Sequence, residues 1–358
     1  MSEFKVTAER LTVHPHPNAD ALELAQVGLY RAVVPKGAYQ TGDVALYIPE
    51  QAVLPDELIE ELGLVGYLAG KAKNRVKAIR LRGELSQGIV CRPKVLDEVI
   101  LKLGWMLEVD YAADLGIVKW VPEVPAAMNG VVKPAPELIR WVDVENVKRF
   151  PDVFEPGEPV VATEKVHGTA CLVTVSRHGD LWVSSKGHGE KSLALEESET
   201  NLYWRAVRGW NVDLVATRVL ERHPEVSRVG IFGEVYGTGV QDLAYGTTGN
   251  VGKPGYAVFD VAFVADGETR WLNQDEMLDA LDGNLPTVPR LYDGPYDLGI
   301  LTALAEGRER VSGTEAHLRE GLVVRAWSER HSDRLGGRAM LKFVSEAYLT
   351  RKGGTEYE

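Results

Sequence analysis

The chain has little of what would assign it quickly. Its 358 residues include only two cysteines, Cys91 and Cys171, each inside an apolar run and in no C-x-x-C pair. That excludes a disulfide-stapled fold and a cysteine-rich zinc module, and leaves two buried thiols as the simplest reading. No apolar run approaches the roughly 18 residues that a membrane helix needs. The start, MSEFKVTAERLTVH, has no charged segment followed by an apolar one. The expectation is a cytoplasmic protein with no membrane partner. Internal repeats and low-complexity tracts are absent. So is a basic excess: the net charge of -12 counts against a chain that coats nucleic acid through charge alone.

What is present divides the chain in two. Residues 4 to 95 hold short β segments, FKVTAERLTVH, ALELAQVGLYRAVV, DVALYIP, RVKAIRLRG and GIVCRP, broken by Gly, Pro, Asn and Asp, with one short helix in LPDELIEELGLV. Short strands at this spacing predict a small barrel, and five strands with an inserted helix form the OB-fold pattern. One basic run stands out, with Lys71, Lys73, Arg75, Lys77, Arg80 and Arg82 against Glu84. On a strand, Arg75 and Lys77 would face one way and Arg80 and Arg82 the other, so that one pair could follow a phosphate backbone; a solvated charged strand is the alternative. His14 and His16 flank prolines without a Cys or acid at ligand spacing, and read as a turn.

Residues 121 to 137 carry Pro122, Pro125, Pro134 and Pro136 with little periodicity, and read as a linker. From 138 to 358 the strands lengthen: EPVVATE, ACLVTVS, DLWVSS, RVGIFGEVYG, GYAVFDVAFV, EGLVVRAW and AMLKFVS. RHGD makes ACLVTVS and DLWVSS a hairpin, and NLYWRAVRGWNVDLVATRVLERH and NQDEMLDALDG read as helices, the second opening on an Asn cap. The fold class expected is α+β: a mostly antiparallel domain at 138–358, preceded by an OB-like barrel at 1–120.

Between two apolar strands of that domain lies EKVHGT, residues 164 to 169. A lysine at a strand end is ordinarily a solvated charge. Here it belongs to a polar island between buried strands, where a functional group is held firmly, and Gly168 permits a close backbone approach. At a pKa of about 10.4 a lysine is protonated and a poor nucleophile; burial, nearby cations or a metal would free its lone pair to attack carbon or phosphorus.

EKVHGT resembles the nucleotidyl-transfer motif of ATP-dependent RNA ligases, in the RNA ligase 2-like clade where His replaces the Asp of K-x-D-G. Further stretches resemble that family's motifs in the right order: SSKGHG (184 to 189), FGEVYG (232 to 237), YAVFDV (256 to 261), EGLVVR (320 to 325) and LKFVS (341 to 345). RVKAIRLRGELSQGIV ahead of them resembles the N-terminal OB module of the Deinococcus-type members. The resemblance implies a nucleotidyltransferase fold using ATP and Mg2+ or Mn2+, acting on RNA with 5'-phosphate and 3'-hydroxyl ends, as a monomer and in RNA repair.

By that resemblance Lys165 attacks the α-phosphorus of ATP to form lysyl-AMP, and His167 and Lys342 assist at the phosphates. Glu164 contacts adenine through its backbone and Phe259 stacks on it, Glu234 takes the ribose hydroxyls, and Gly168, Thr169 and Lys186 complete the nucleotide site. Asp260 and Glu320 are expected to bind nucleotide or metal, and Arg75, Lys77, Arg80 and Arg82 to bind RNA. Three positions depart from the pattern: Ala170 stands for Asn, Lys186 for Arg, and Val344 for the second lysine of the fifth motif. A DNA ligase or capping enzyme would share the lysine chemistry, but these normally carry an OB domain after the transferase domain, whereas this chain stops soon after Lys342. The alternative from another class is an RNA-binding protein with an inactive transferase fold.

Overall fold

The computed structural model describes residues 4–97, 100–101, 104–107, 109–247 and 253–354. The chain forms two compact units, one of Ser2–Val121 with Val147–Pro151, the other essentially Pro122–Asn146 and Asp152–Glu358.

The smaller unit is the predicted OB module. Strands Thr7–Arg10, Val44–Ile48 and Ile89–Cys91 form one antiparallel sheet, and Thr12–Pro15, Leu22–Val27 and Tyr30–Pro35 another. The hairpin of Ile79–Leu81 and Glu84–Ser86 joins the second sheet through Ser86 Oγ, which accepts from the Val33 N–H at 3.0 Å. The expected helix is Asp56–Glu61, with Asp56 and Glu57 in its first turn, where the helix dipole favours them. His16 is a turn residue: its Nδ1 accepts from the Asn18 N–H at 3.1 Å, so its Nε2 donates to the Leu81 carbonyl at 3.2 Å. The basic run is not one strand. Arg75 lies outside the hairpin and stacks on Trp120, its guanidinium carbon 3.9 Å from the ring centroid. Arg82 occupies the hairpin turn at a φ of 51°. The expected two-face alternation across these residues therefore fails, because the chain turns within it.

The stretch expected as a linker is built into the larger unit. Met128 is buried in its core, and Val132–Pro134 pairs with Leu193–Leu195. Prolines at 125 and 134 suppress the periodicity without preventing order: one precedes a 3-10 turn, Ala126–Met128, and the other closes a short strand.

Two five-stranded sheets make up most of the larger unit. The first runs Leu181–Ser185, Thr169–Ser176, Arg228–Tyr236, Gly255–Ala265, Glu268–Trp271. The second runs Glu145–Asn146, Met340–Val344, Gly321–Ala326, Pro159–Lys165, Arg290–Pro295, with only the first pair parallel. Alternation along Thr169–Ser176 sets the layers. Cys171, Val173 and Val175 face helices Leu202–Trp210 and Val212–Arg222, whereas Leu172 faces Ile139, Trp141 and Met340 on the side toward the second sheet. The predicted single helix over 201–223 is two, broken at Asn211, which adopts a left-handed φ of 55°. Helix Gln274–Leu281 opens on the expected cap, Asn273, in a reciprocal capping box with Glu276.

Candidate active site

Lys165 ends Pro159–Lys165 in the second sheet, and Thr169 begins Thr169–Ser176 in the first. EKVHGT is thus the crossing from one sheet to the other, and its lysine sits where the two sheets meet. The crossing must be tight. A Cβ on Gly168 would lie 2.1 Å from the Val235 carbonyl oxygen, so only glycine lets the crossing settle against the neighbouring strand.

Four other elements bring charged groups to Lys165. Glu320, just before Gly321–Ala326, accepts from Lys165 Nζ through Oε1 at 2.7 Å. Gly321 passes so close to the next strand that a Cβ would be 2.0 Å from the Phe343 carbonyl oxygen. Glu234 lies on Arg228–Tyr236, two residues beyond Phe232 and on the same intersheet face. Lys342 comes from Met340–Val344, and Lys186 from the start of the short helix Lys186–Glu190. Asp143, which no motif signals, pairs with Lys186 at 2.9 Å.

These charges set the protonation states. Burial alone would lower the Lys165 pKa, but the carboxylates of Glu320 and Glu234 outweigh it and hold the amine as an ammonium ion above its ordinary range. Lys342 goes the other way: burial lowers its pKa, and Lys165 and Lys186 push in the same direction. Burial raises Glu234 to about 8, against the pull of Lys165. Glu320 keeps one buried oxygen, Oε2, without a hydrogen-bond partner.

Phe259 owes its place to a β-bulge. Phe232 pairs with Asp260 and Gly233 with Val258, so Phe259 is the extra residue, and it packs against two separate apolar clusters. Trp141 supports it edge-on at 4.9 Å between centroids.

Other expected residues are placed differently. Asp260 is fully buried with both oxygens committed: Oδ1 accepts from Arg325 at 3.2 Å and Oδ2 from Arg338 at 2.5 Å. Glu329 also accepts from Arg338, so Asp260 belongs to an ion cluster behind the bulge rather than to a metal or nucleotide. The Thr169 hydroxyl turns toward the helices and shares a hydrogen bond with the Tyr203 hydroxyl at 2.7 Å, which leaves only its backbone near the site. His167, expected at the phosphates, is buried with both ring nitrogens engaged by protein, Nε2 with Asp242 and Nδ1 with the Tyr348 hydroxyl, each at 2.8 Å.

Glu164 alternates to the face opposite Lys165. Its N–H is bonded to the Pro289 carbonyl at 2.9 Å, and its carboxylate accepts from the Arg310 N–H at 2.8 Å beside Arg319. Burial raises this carboxyl to about 7, and the Arg310 N–H and Arg319 only partly offset that. Residues 290 to 315 supply the edge strand Arg290–Pro295, helix Leu298–Ala305 and the loop that packs on Glu164. At the three departures, Ala170 and Val344 pack in apolar clusters, Val344 beside Val166 and Tyr348, and Lys186 meets Asp143.

Among the described residues no group of three or more His, Cys, Asp and Glu is placed to hold a metal ion, and no helix is long and apolar enough to cross a membrane.

An RNA ligase family model matches residues 158–344, over half of the chain, and an OB-fold domain model matches residues 6–93. No curated protein sequence matches. Solved structures do. An apo mutant of Naegleria gruberi RNA ligase superposes with a TM-score of 0.78 at 23% identity over 98% of each chain. A mutant of the same enzyme with ATP and Mn gives 0.77 at 22% identity, over 97% of this chain and 98% of that one. Another, with AMP and Mn, gives 0.74 at 23% over 97% of each. The likeness extends through both units, and with the family match over the larger one it places this chain in the RNA ligase family.

Proposed function

We propose that the protein is an ATP-dependent RNA ligase that joins 5'-phosphate and 3'-hydroxyl RNA ends through lysyl-AMP and adenylylated RNA. One observation carries this: Lys165 is presented between the two sheets, hydrogen-bonded to Glu320 and surrounded by Glu234, Lys186 and Lys342.

The chemistry follows from these groups. Lys165 must lose a proton before it can attack, and Glu320 Oε1 is the acceptor already in contact with it. The neutral amine then forms the N–P bond at the α-phosphorus of ATP while the bond to pyrophosphate breaks. Lys342 and Lys186 offset the phosphate charge, and binding of a phosphate at Lys186 displaces Asp143. Glu234 is a hydrogen-bond acceptor for ribose hydroxyls when ionised, and Phe259 offers a ring to the base. In the second step the 5'-phosphate of RNA takes the AMP from Lys165, and in the third the 3'-hydroxyl displaces it.

The buried, unpartnered Glu320 Oε2 fits a divalent cation that keeps several waters and is held by one carboxylate together with substrate phosphates. Bound there, Mg2+ or Mn2+ would supply positive charge against the triphosphate. In the OB module, Arg80 and Arg82 are the exposed cations best placed to meet RNA, whereas Lys77 is partly covered and Arg75 is committed to Trp120. The two free, buried thiols suit a cytoplasmic setting, where the enzyme would act as a monomer in RNA repair.

The test is joining of a 5'-phosphorylated RNA, as a nicked duplex and as a single strand, with ATP and Mg2+ or Mn2+. The expected products are adenylylated RNA and a sealed strand. Binding of RNA with neither product would favour the inactive RNA-binding fold instead.

A further inference from the structure

His167 lies two residues from the nucleophile, yet its ring reaches no open space in the site. It is enclosed by groups from two segments, both outside every motif read from the sequence. Asp242 follows the strand Arg228–Tyr236, and its Oδ1 lies 2.8 Å from Nε2. Tyr348 comes from the short helix Glu346–Leu349, and its hydroxyl lies 2.8 Å from Nδ1. Arg351 grips Asp242 with two hydrogen bonds, Nε to Oδ2 at 2.8 Å and an Nη to Oδ1 at 3.0 Å. Its guanidinium also lies 3.6 Å from the Tyr348 ring centroid and donates to the Tyr348 carbonyl at 2.9 Å. Tyr348 and Arg351 fall beyond residue 344, where the RNA ligase match ends.

The helix that carries Tyr348 is anchored to the site. The Ser345 N–H donates to the Glu320 carbonyl at 2.9 Å, and the Ser345 side chain caps the helix through the Tyr348 N–H at 3.1 Å. Glu306 holds the Ser345 hydroxyl at 2.8 Å and the Glu346 N–H at 2.6 Å. The Tyr245 hydroxyl accepts from the His167 N–H at 2.6 Å and fixes the backbone.

Chemistry then selects one tautomer. A neutral imidazole carries one N–H. Two groups face Nε2: the Asp242 carboxylate oxygen at 2.8 Å, which accepts, and an Arg351 Nη at 3.4 Å, which would donate; the much shorter Asp242 contact places the proton on Nε2. Nδ1 is left as an acceptor, and the Tyr348 hydroxyl donates to it. Nδ1 lies 3.9 Å from Glu320 Oε2, the unpartnered oxygen beside Lys165. In this tautomer no imidazole proton competes for that oxygen.

We propose that Asp242, Tyr348 and Arg351 are positioning residues for lysine adenylylation, acting through His167 by fixing its ring orientation and its Nε2–H tautomer. This rests on the proposed ligase reading for its activity readout, but not for its structural one.

The test uses the full chain with 15N-labelled histidine. Long-range 15N–1H spectra report which ring nitrogen carries the proton, and His167→Gln identifies the signals. Wild type is expected to show a protonated Nε2 and a bare Nδ1. In Asp242→Asn the amide can donate to Nε2, and the ring proton should move to Nδ1. The rate of lysyl-AMP formation should fall about 10- to 100-fold with little change in the KM for ATP, as when a group orienting a functional histidine is lost. Asp242→Glu should keep the wild-type tautomer and recover part of the rate.

Tyr348→Phe retains the ring under Arg351 and serves should Asp242→Asn fail to fold; it too should slow adduct formation without raising KM. A wild-type ring protonated at Nδ1, a tautomer unmoved in Asp242→Asn, or variants that shift the tautomer at wild-type rates would each overturn the proposal. If wild type forms no adduct, the ligase reading fails, while the spectra still decide whether the array fixes the tautomer.

Discussion

Glu164 gives a test of the site's frame that is independent of catalysis. Its carboxyl is buried and raised from an ordinary 4.5 to about 7. Below about pH 4.5 the group is protonated in both the folded and the unfolded chain. As pH rises toward 7 the unfolded chain releases the proton and the folded chain retains it, so stability falls through this window. Above 7 the full penalty is present. At roughly 1.4 kcal/mol per pH unit the gap corresponds to about 3 kcal/mol. Glu164→Gln keeps an acceptor for the Arg310 N–H and removes the titration. The variant's stability relative to wild type, from urea unfolding at pH 4.5 and at pH 8, should therefore improve by about 3 kcal/mol across the window. Parallel curves for the two proteins would refute the reasoning, and so would a variant that loses ground as pH rises.

Other consequences follow from single contacts. Gly168→Ala places a methyl against the Val235 carbonyl and should lower stability by about 3 kcal/mol, the upper range for overpacking, with loss of adduct formation, read by denaturation and ATP labelling. Asp260→Asn leaves the Arg325 and Arg338 charges poorly matched and should cost up to about 3–5 kcal/mol by the same unfolding assay. Its folded fraction should still label with ATP, because both Asp260 oxygens are committed to Arg325 and Arg338. Arg80→Gln and Arg82→Gln should each flatten the salt dependence of RNA binding by about one phosphate contact. Arg75→Gln should leave that slope unchanged and instead reduce the stability of the OB module, since its partner is Trp120.

How far the sequence reached depends on what each residue does locally. Strand periodicity and turn residues placed the barrel, the long strands of the larger unit and the Asn273 cap, because those signals lie within a few residues. Lys165, Glu234, Glu320 and Lys342 were legible from motif order, and the crossing between sheets brings all four to one place. Asp260 was misread because an acid in an apolar strand signals a buried partner without naming it; the partners, Arg325 and Arg338, lie far along the chain. For Thr169 the motif gave the position but not the side chain's direction, since alternation turns its hydroxyl to Tyr203 and leaves its backbone by the site. Asp143, Asp242, Tyr348 and Arg351 carried no local signal, since each acts through a contact with a distant segment. The four prolines hid ordered structure that depends on pairing with Leu193–Leu195.

The most direct measurement of the central claim is covalent labelling. The purified protein is incubated with labelled ATP, GTP and NAD and with Mg2+ or Mn2+, and any adduct is mapped by peptide mass spectrometry. The account requires an AMP adduct from ATP, on Lys165, absent in Lys165→Ala. An adduct on another residue, its persistence in Lys165→Ala, or no adduct from any of the three nucleotides would contradict it.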